Sequence, residues 1–442
     1  MTSPTAPGLE AKKDNPIKVS VASMIGTVVE SYDFFIYATA AATYFGTAFF
    51  HSEDPIVGAL ASFATLAIGF LFRPLGGYLA GHFGDRIGRK RILIWSLVIM
   101  GVVTTLIGVL PTYAMIGVGA PIMLIVLRAV QGIAYGAEWG GAVLMAVEHA
   151  PAHRRGFFGA LPQIGIPGGL LVANGTILLT SGLPGDWAWR VPFLLASVMV
   201  VIGLFIRLKV AESPEFETAK EQGQVLKQPA LEAIKQDWRA ILQIIGLRLA
   251  ETGGYYVTTA FTVTYVGLAT ITDKSDVLIG TLVGSALGLA SHLLYGAWSD
   301  RIGRKKVFLI GSVFTILFGI PMFLMINTGS LLMIVVAISL SLLLSHDPIF
   351  AVESSWFSEQ FPANRRTSGI SLGYNGAAIV AGFLPFIATA LYGWMGWMGP
   401  ALLFMLLGVI STLTAITARE TAPRVTGAST DERAAIAEEV HA

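Results

Sequence analysis

The chain of 442 residues contains no cysteine, so disulfides and thiolate metal sites are excluded. Charge is scarce as well. Asp, Glu, Lys and Arg make up 13% of the sequence, where soluble domains carry about 25%. With 54% hydrophobic residues and a mean hydropathy of +0.69, there is too little polar surface to coat a globule in water, and the natural solvent is lipid. Net charge is only +1 and the cations are scattered over short loops, which gives no basic face for a nucleic acid. No glycine-rich phosphate loop and no G-x-S-x-G elbow is present; an enzyme reading therefore lacks a nucleophile and a cofactor site. The histidines and acids do not fall at metal-ligand spacing, and no metal or other cofactor is expected.

What is present is apolar sequence in long runs. A bilayer core needs about 20 such residues per helix, and twelve stretches qualify, at about 18–46, 56–81, 92–111, 119–147, 156–181, 190–208, 240–268, 277–298, 306–327, 330–357, 367–391 and 396–418. Runs of this length exclude strands, since lipid admits only helices or closed barrels. The first follows a polar start, "MTSPTAPGLEAKKDNP", and is too long for a signal-peptide core, so it reads as a retained span. Placing both termini in the cytoplasm puts 24 of the 29 Lys and Arg on inner segments and only Arg190 and Lys274 on outer loops, with Arg73, Arg128 and Arg248 inside spans. That alternation supports twelve crossings, because one missed helix would invert every later loop. The expected organisation is a cytoplasmic tail (1–17), a six-helix bundle (18–208), a charged central linker (209–239), a second six-helix bundle (240–418) and a cytoplasmic tail (419–442).

The halves are copies. "GDRIGRK" at 84–90 returns as "SDRIGRK" at 299–305, and "EHAPAHRR" at 148–155 returns as "EQFPANRR" at 359–366. Two matches at nearly one offset indicate duplication, hence an all-α membrane protein of two pseudo-symmetric six-helix bundles. Positive-inside anchoring explains the cations of these loops but neither the acids nor Gly88 and Gly303. Asp85 and Glu148 can pair with Arg86, Arg89 or Arg154, and Asp300 and Glu359 with Arg301, Arg304 or Arg365, as a breakable gate on the cytoplasmic side.

A "GxxxDRxGRK"-like loop after the second span of each half, in a chain of twelve spans, resembles the major facilitator superfamily of secondary transporters. More narrowly, "VVESYDFFIY" (28–37), "FRPLGGYLAGHFGDRIGRKR" (72–91), "LPTYAMIGVGAPIMLIVLRAVQGIAYGAEWGG" (110–141) and "VEHAPAHRRG" (147–156) resemble its metabolite:proton symporter family. That branch includes bacterial carriers of shikimate, proline and betaine, oxoglutarate and citrate. "LRLAETGGYYVTTAFTVTY" and "SHDPIFAVESSWFSEQF" are most similar to its shikimate transporters. The resemblance runs from about residue 18 to 418. It implies two bundles rocking around a central site in a bacterial inner membrane, driven by a proton gradient, in a chain expected to act as a monomer. Shikimate, with one carboxylate and several hydroxyls, is the leading substrate; another small metabolite, or uncoupled facilitation, is the alternative.

The residues make their own case for transport, because a charge at a helix centre costs about 2.5–3.5 kcal/mol on insertion scales and is usually functional where retained. Arg128, Gln131, Tyr135 and Glu138 step by 3, 4 and 3, one face of span 4. Arg128 and Glu138 lie about 15 Å apart along the axis, so each needs another partner. Glu30, Asp33 and Tyr37 repeat the pattern in span 1, and Arg248, Glu251 and Tyr255 in span 7. A carboxyl in a poorly solvated cavity can load and release a proton as its surroundings change. Asp33 is the first candidate, with Glu138, Glu30, Glu251 and Asp347 behind it; a permanently ionised partner of Arg128 is the competing role. The repeat sets acids on one wall and a cation, Arg248, on the other, and Arg128 or Arg248 would grip a carboxylate by its fork of donors. Gln131, Tyr135, Tyr37, Tyr255, His346, Tyr374 and Asn375 are candidates to meet the rest of the substrate, and Glu353 stands with them. His346 and Asp347 are adjacent, so their side chains are expected to diverge on a helix.

Overall fold

A computed structural model describes residues 16–79, 89–136, 146–147, 150–209, 229–361 and 366–427. The described residues form twelve principal helices. The first six are α1 (Pro16–Ala40, continued by a π turn Ala41–Phe45 and Gly46–Phe49), α2 (Pro55–Leu71, running on to Leu79), α3 (Arg89–Gly108), α4 (Gly119–Gly136), α5 (Arg155–Gln163 and Gly165–Thr180) and α6 (Trp187–Lys209). The second six are α7 (Trp238–Arg248, then two π turns at Leu249–Gly253 and Val257–Phe261, ending at Thr262–Leu268), α8 (Lys274–Ile302), α9 (Arg304–Ile326), α10 (Leu331–Leu340, π turn Ser341–His346, Asp347–Ser358), α11 (Arg366–Met395) and α12 (Met398–Thr417). Among the described residues nine helices are long and apolar enough to cross a bilayer; α1, α3 and α7 complete the twelve.

Polarity is distributed as lipid requires. Leu179 (86% exposed) and Trp394 (82%) face outward, while Asp33 and Glu353 are fully buried. Helix starts follow ordinary capping chemistry: the Asp54 carboxylate accepts from Ile56 N at 2.8 Å just ahead of Pro55, and Asp273 accepts from Ser275 N at 2.8 Å. Gly303, at φ +111°, makes the sharp turn from α8 into α9 that a side chain would strain. This is what the glycine of "SDRIGRK" does. The new helix start is capped from a distance, with Glu420 accepting from Arg304 N (2.9 Å) and Lys305 N (3.1 Å).

Within the first bundle α2 and α4 touch backbone to backbone. A Cβ on Gly132 would stand 2.1 Å from the Gly69 carbonyl oxygen, and one on Gly136 would stand 1.9 Å from that of Arg73. Small residues at this spacing let membrane helices pack without side chains between them. Gly132→Ala is therefore expected to push α4 off α2 and destabilise by about 1–3 kcal/mol. A thermal unfolding scan in detergent checks this, and an unchanged midpoint would mean that the helices separate freely.

Candidate functional site

A cavity lies where the bundles meet, lined by Ser31 and Phe34 of α1, Arg73 of α2 and Tyr135 of α4 on one side. Arg248, Glu251 and Tyr255 of α7, His346 of α10 and Tyr374 of α11 line the other. A smaller recess adjoins it, formed by Arg73, Arg128, Gln131 and Tyr135 with Phe34. The Arg128, Gln131 and Tyr135 stripe read from the sequence thus borders these two spaces. Glu138 lies outside the described residues.

On the first-bundle wall, Arg73 sits over the rings of Tyr135 (3.9 Å) and Phe70 (4.1 Å), and Arg128 sits over Tyr37 (4.0 Å). Such stacking holds a guanidinium without neutralising it. Arg128 donates from Nη1 to Gln131, while its Nε has no hydrogen-bond partner among the described residues. Tyr37 donates to Thr65 at 2.6 Å, behind Arg128. No Asp or Glu among the described residues stands at salt-bridge distance from Arg73 or Arg128. Asp33 is fully buried, and neither of its oxygens is met in full hydrogen-bond geometry. The Thr104 hydroxyl beside it donates to the Met100 carbonyl (2.9 Å) and accepts from Gln131 Nε2 (2.7 Å). Thr104 of α3 and Gln131 of α4 thus stand between Asp33 and Arg128, bonded to each other and, through Gln131, to Arg128. Glu30 is buried one turn earlier on α1.

The second-bundle wall is arranged differently. Arg248 donates from Nη2 to Glu251 (2.8 Å) and from Nε to Glu353 (3.1 Å), and lies 3.4 Å from the Tyr374 ring centre. His346 has Nδ1 2.9 Å from Asp347 Oδ1 and Nε2 3.3 Å from Glu251 Oε1. Asp347 also accepts from Ser291 and lies 3.6 Å from Nδ1 of His292, which contacts the Gly288 carbonyl at 2.7 Å. Tyr255 stacks near His346, ring centres 4.6 Å apart, and its buried hydroxyl has no hydrogen-bond partner among the described residues. Asn375 faces α2, 3.9 Å from where a Cβ on Gly77 would be, and does not line the cavity.

Two sequence expectations change here. The cation of the second wall, Arg248, is already matched by carboxylates, and the arginines without carboxylate partners are Arg73 and Arg128 on the first wall. A repeat offset fixes which helices correspond but not which carboxylates reach across to α7 from α10. His346 and Asp347 do not diverge: the π turn ending at His346 underwinds α10 there, and the two side chains meet. His292, His346 and Asp347 bring ligand-type atoms within 4.8 Å of one another. Spacing along the chain had no means of showing this, and the Nδ1 of each histidine is already turned to a protein oxygen.

At the end of the molecule carrying the repeated loops, Asp300 accepts from the backbone amides of Gly156 (2.8 Å) and Phe157 (3.0 Å), tying α8 to α5 of the other bundle. Arg304 pairs with Asp300 (2.7 Å) and Glu359 (3.6 Å). Arg301 and Arg154 stand exposed, so the pairing falls to Arg304 and the cross-bundle contact to backbone amides. Asp85, Arg86, Glu148 and Arg365 lie outside the described residues, as does the side chain of Arg89. At the opposite end Lys274 Nζ contacts the carbonyls of Ala42 and Thr43, each at 3.3 Å. Contacts thus join the bundles on both sides of the cavity. Asp300→Ala removes the acceptor for the α5 amides and leaves buried Arg304 with the longer pairing to Glu359, a loss of up to about 3–5 kcal/mol, and is expected to open that end. In a chain with no native cysteine, the thiol of an Ala160→Cys reporter, packed beside Gly296, should then be labelled about tenfold faster or more. An unchanged rate would mean that closure does not depend on Asp300.

The Major Facilitator Superfamily model matches residues 23–345 and again 255–440. The shikimate transporter of Escherichia coli (strain K12) is 39% identical over 414 residues, 90% of this chain and 93% of that one. A proline/betaine transporter of the same strain is 32% identical over 428 residues, 92% and 84% of the two chains. The fold is similar to that of the proton:xylose symporter XylE bound to 6-bromo-6-deoxy-D-glucose, with a TM-score of 0.71 at 17% identity over 95% of this chain and 98% of that one.

Proposed function

Since the chain belongs to the major facilitator superfamily and is a multi-pass membrane transporter rather than an enzyme, we propose that it is a proton-coupled symporter of a small organic acid, with shikimate first among the candidates. The observation that carries this reading is the pairing, across one short polar chain, of a buried guanidinium without a carboxylate partner, Arg128, with a buried carboxyl, Asp33. A cation held on aromatic faces in a poorly solvated recess attracts a carboxylate strongly. When a substrate carboxylate neutralises Arg128, Asp33 is left as an uncompensated buried charge unless it takes up a proton. Substrate and proton then favour each other's binding, which is the thermodynamic content of symport. The acidic and phenolic second wall suits hydroxyl groups, and this favours a polyhydroxylated acid over betaine, which has none.

In this reading the cavity opens to alternate sides: breaking the Asp300 contacts would open one end, and breaking the Lys274 contacts would open the other. The chain would work as a monomer in the bacterial inner membrane with both termini in the cytoplasm, consistent with the distribution of its cations. The test is uptake of labelled shikimate into proteoliposomes, with a panel of competing organic acids. An inward proton gradient should concentrate the label and a protonophore should abolish the concentration. Equilibration indifferent to the gradient would identify an uncoupled facilitator, and binding without counterflow a sensor.

A further inference from the structure

Resting on the symport reading, we infer that the second bundle holds its own transported proton, shared between His346 and Glu251 and separate from the one carried by Asp33. Among the described residues, Glu251 and Glu353 pair with the guanidinium of Arg248 and Asp347 lies on the far side of His346, and none of these groups, nor His292 or His346, is more than 4% exposed. Three ionised carboxyls against one fixed cation would leave net negative charge in a buried cluster, which protein interiors do not sustain. Protons must reside there.

Both nitrogens of His346 face carboxylate oxygens, Nδ1 that of Asp347 at 2.9 Å and Nε2 that of Glu251 at 3.3 Å. A neutral imidazole has a single N–H, so its other nitrogen would turn a lone pair on an ionised carboxylate. Either the ring carries a second proton or one of the two facing carboxyls does; of those carboxyls only Glu251 lines the cavity, which assigns the exchangeable proton to the contact between His346 and Glu251. Around His346 stand Glu251 and Tyr255 of α7, with Arg248 behind Glu251. His292 of α8 and Asp347 of its own helix complete the surround, and Arg73, Tyr135 and Tyr374 share the cavity. No fixed cation beyond Arg248 competes for Glu251 from the second bundle's described residues.

Glu251 and His346 line the central cavity, whereas Asp347, His292 and Glu353 do not, so the shared proton is the one that reaches whichever side the cavity opens to. Both residues lie on underwound segments, Glu251 in the π turn Leu249–Gly253 and His346 in the π turn Ser341–His346. A π turn that relaxes to an α turn rotates its side chains about the axis. Such a change on α7 or α10 would part Glu251 from His346 and release the proton to water, while Asp347, held by Ser291, stays as the fixed counter-ion of the ring.

The stoichiometry measures this. With membrane potential clamped at zero, each coupled proton multiplies the limiting accumulation of labelled shikimate by about ten per pH unit of gradient. Two protons are expected for the unaltered protein, about a hundredfold per unit, and one proton in His346→Gln and in Glu251→Gln. The exponent is thermodynamic, so weaker binding or a smaller folded fraction does not change it. If neither variant reconstitutes, the exponent of the unaltered protein decides. A value of one, or a value of two that survives both substitutions, overturns the inference while leaving symport intact. A value of zero for shikimate and for every acid of the panel removes the symport reading and the inference together.

Discussion

Asp33→Asn is expected to remove about one factor of ten in substrate accumulation per pH unit of imposed gradient, while substrate exchange across the membrane without a gradient continues. The substitution keeps the shape of the side chain and its capacity to contact Thr104, but an amide does not take up or release a proton in the working pH range. Asp33 is fully buried among helices, and its carboxylate is not held by any complete hydrogen bond. In the proposed reading this is the group that changes protonation. In that reading the substrate carboxylate meets Arg128, with Gln131 and Thr104 between it and Asp33, so the loss should appear in coupling before it appears in affinity. Residual steepness in Asp33→Asn would report the proton assigned to His346 and Glu251, and combining it with Glu251→Gln should bring accumulation to a ratio near one. An unchanged exponent in Asp33→Asn would mean that Asp33 is a permanent ionic partner, and proton coupling would have to be sought elsewhere.

The parts of this molecule that could be read from its sequence are those fixed by local pattern. Lipid demands long apolar runs, so the spans stand out, and α4 displays Arg128, Gln131 and Tyr135 on one face because helical spacing alone puts them there. What could not be read depends on contacts between distant segments. Glu353 reaches Arg248 across 105 positions, and Glu420 caps α9 from 116 positions away. His292 occurs singly in an apolar stretch of α8 and gains meaning only beside Asp347. Arg73 is a lone cation in "FRPLGG" until three rings, those of Phe34, Phe70 and Tyr135, gather under it. The meeting of His346 with Asp347 depends on a π turn, which no hydrophobic period announces. The same limit explains the exchange of roles between the walls: duplication predicts equivalent helices, but charge balance is settled by whichever neighbours supply carboxylates.

That exchange of roles leads to the second large effect, at Arg128. Arg128→Lys preserves the charge and should nevertheless weaken carboxylate binding by about tenfold to a hundredfold, the range that follows from about 1.5–3 kcal/mol for a charge-assisted hydrogen bond. A guanidinium presents a flat fork of donors that matches two carboxylate oxygens, and that of Arg128 sits over the Tyr37 ring at 4.0 Å. An ammonium offers a compact, strongly hydrated point charge, and it would lose the planar match to the substrate together with the bond to Gln131. Competition by the free acid should weaken, whereas competition by its uncharged methyl ester should change little, because the ester has no carboxylate for the fork to grip. Arg248→Lys provides the contrast. Glu251 and Glu353 already occupy its donors, so that substitution should disturb the proton exponent of the second bundle more than the discrimination between acid and ester. If acid and ester lose affinity equally in Arg128→Lys, the arginine shapes the recess without holding the carboxylate. If instead only Arg248→Lys separates them, the carboxylate sits on the second wall and the order of events drawn from Asp33 must be reversed.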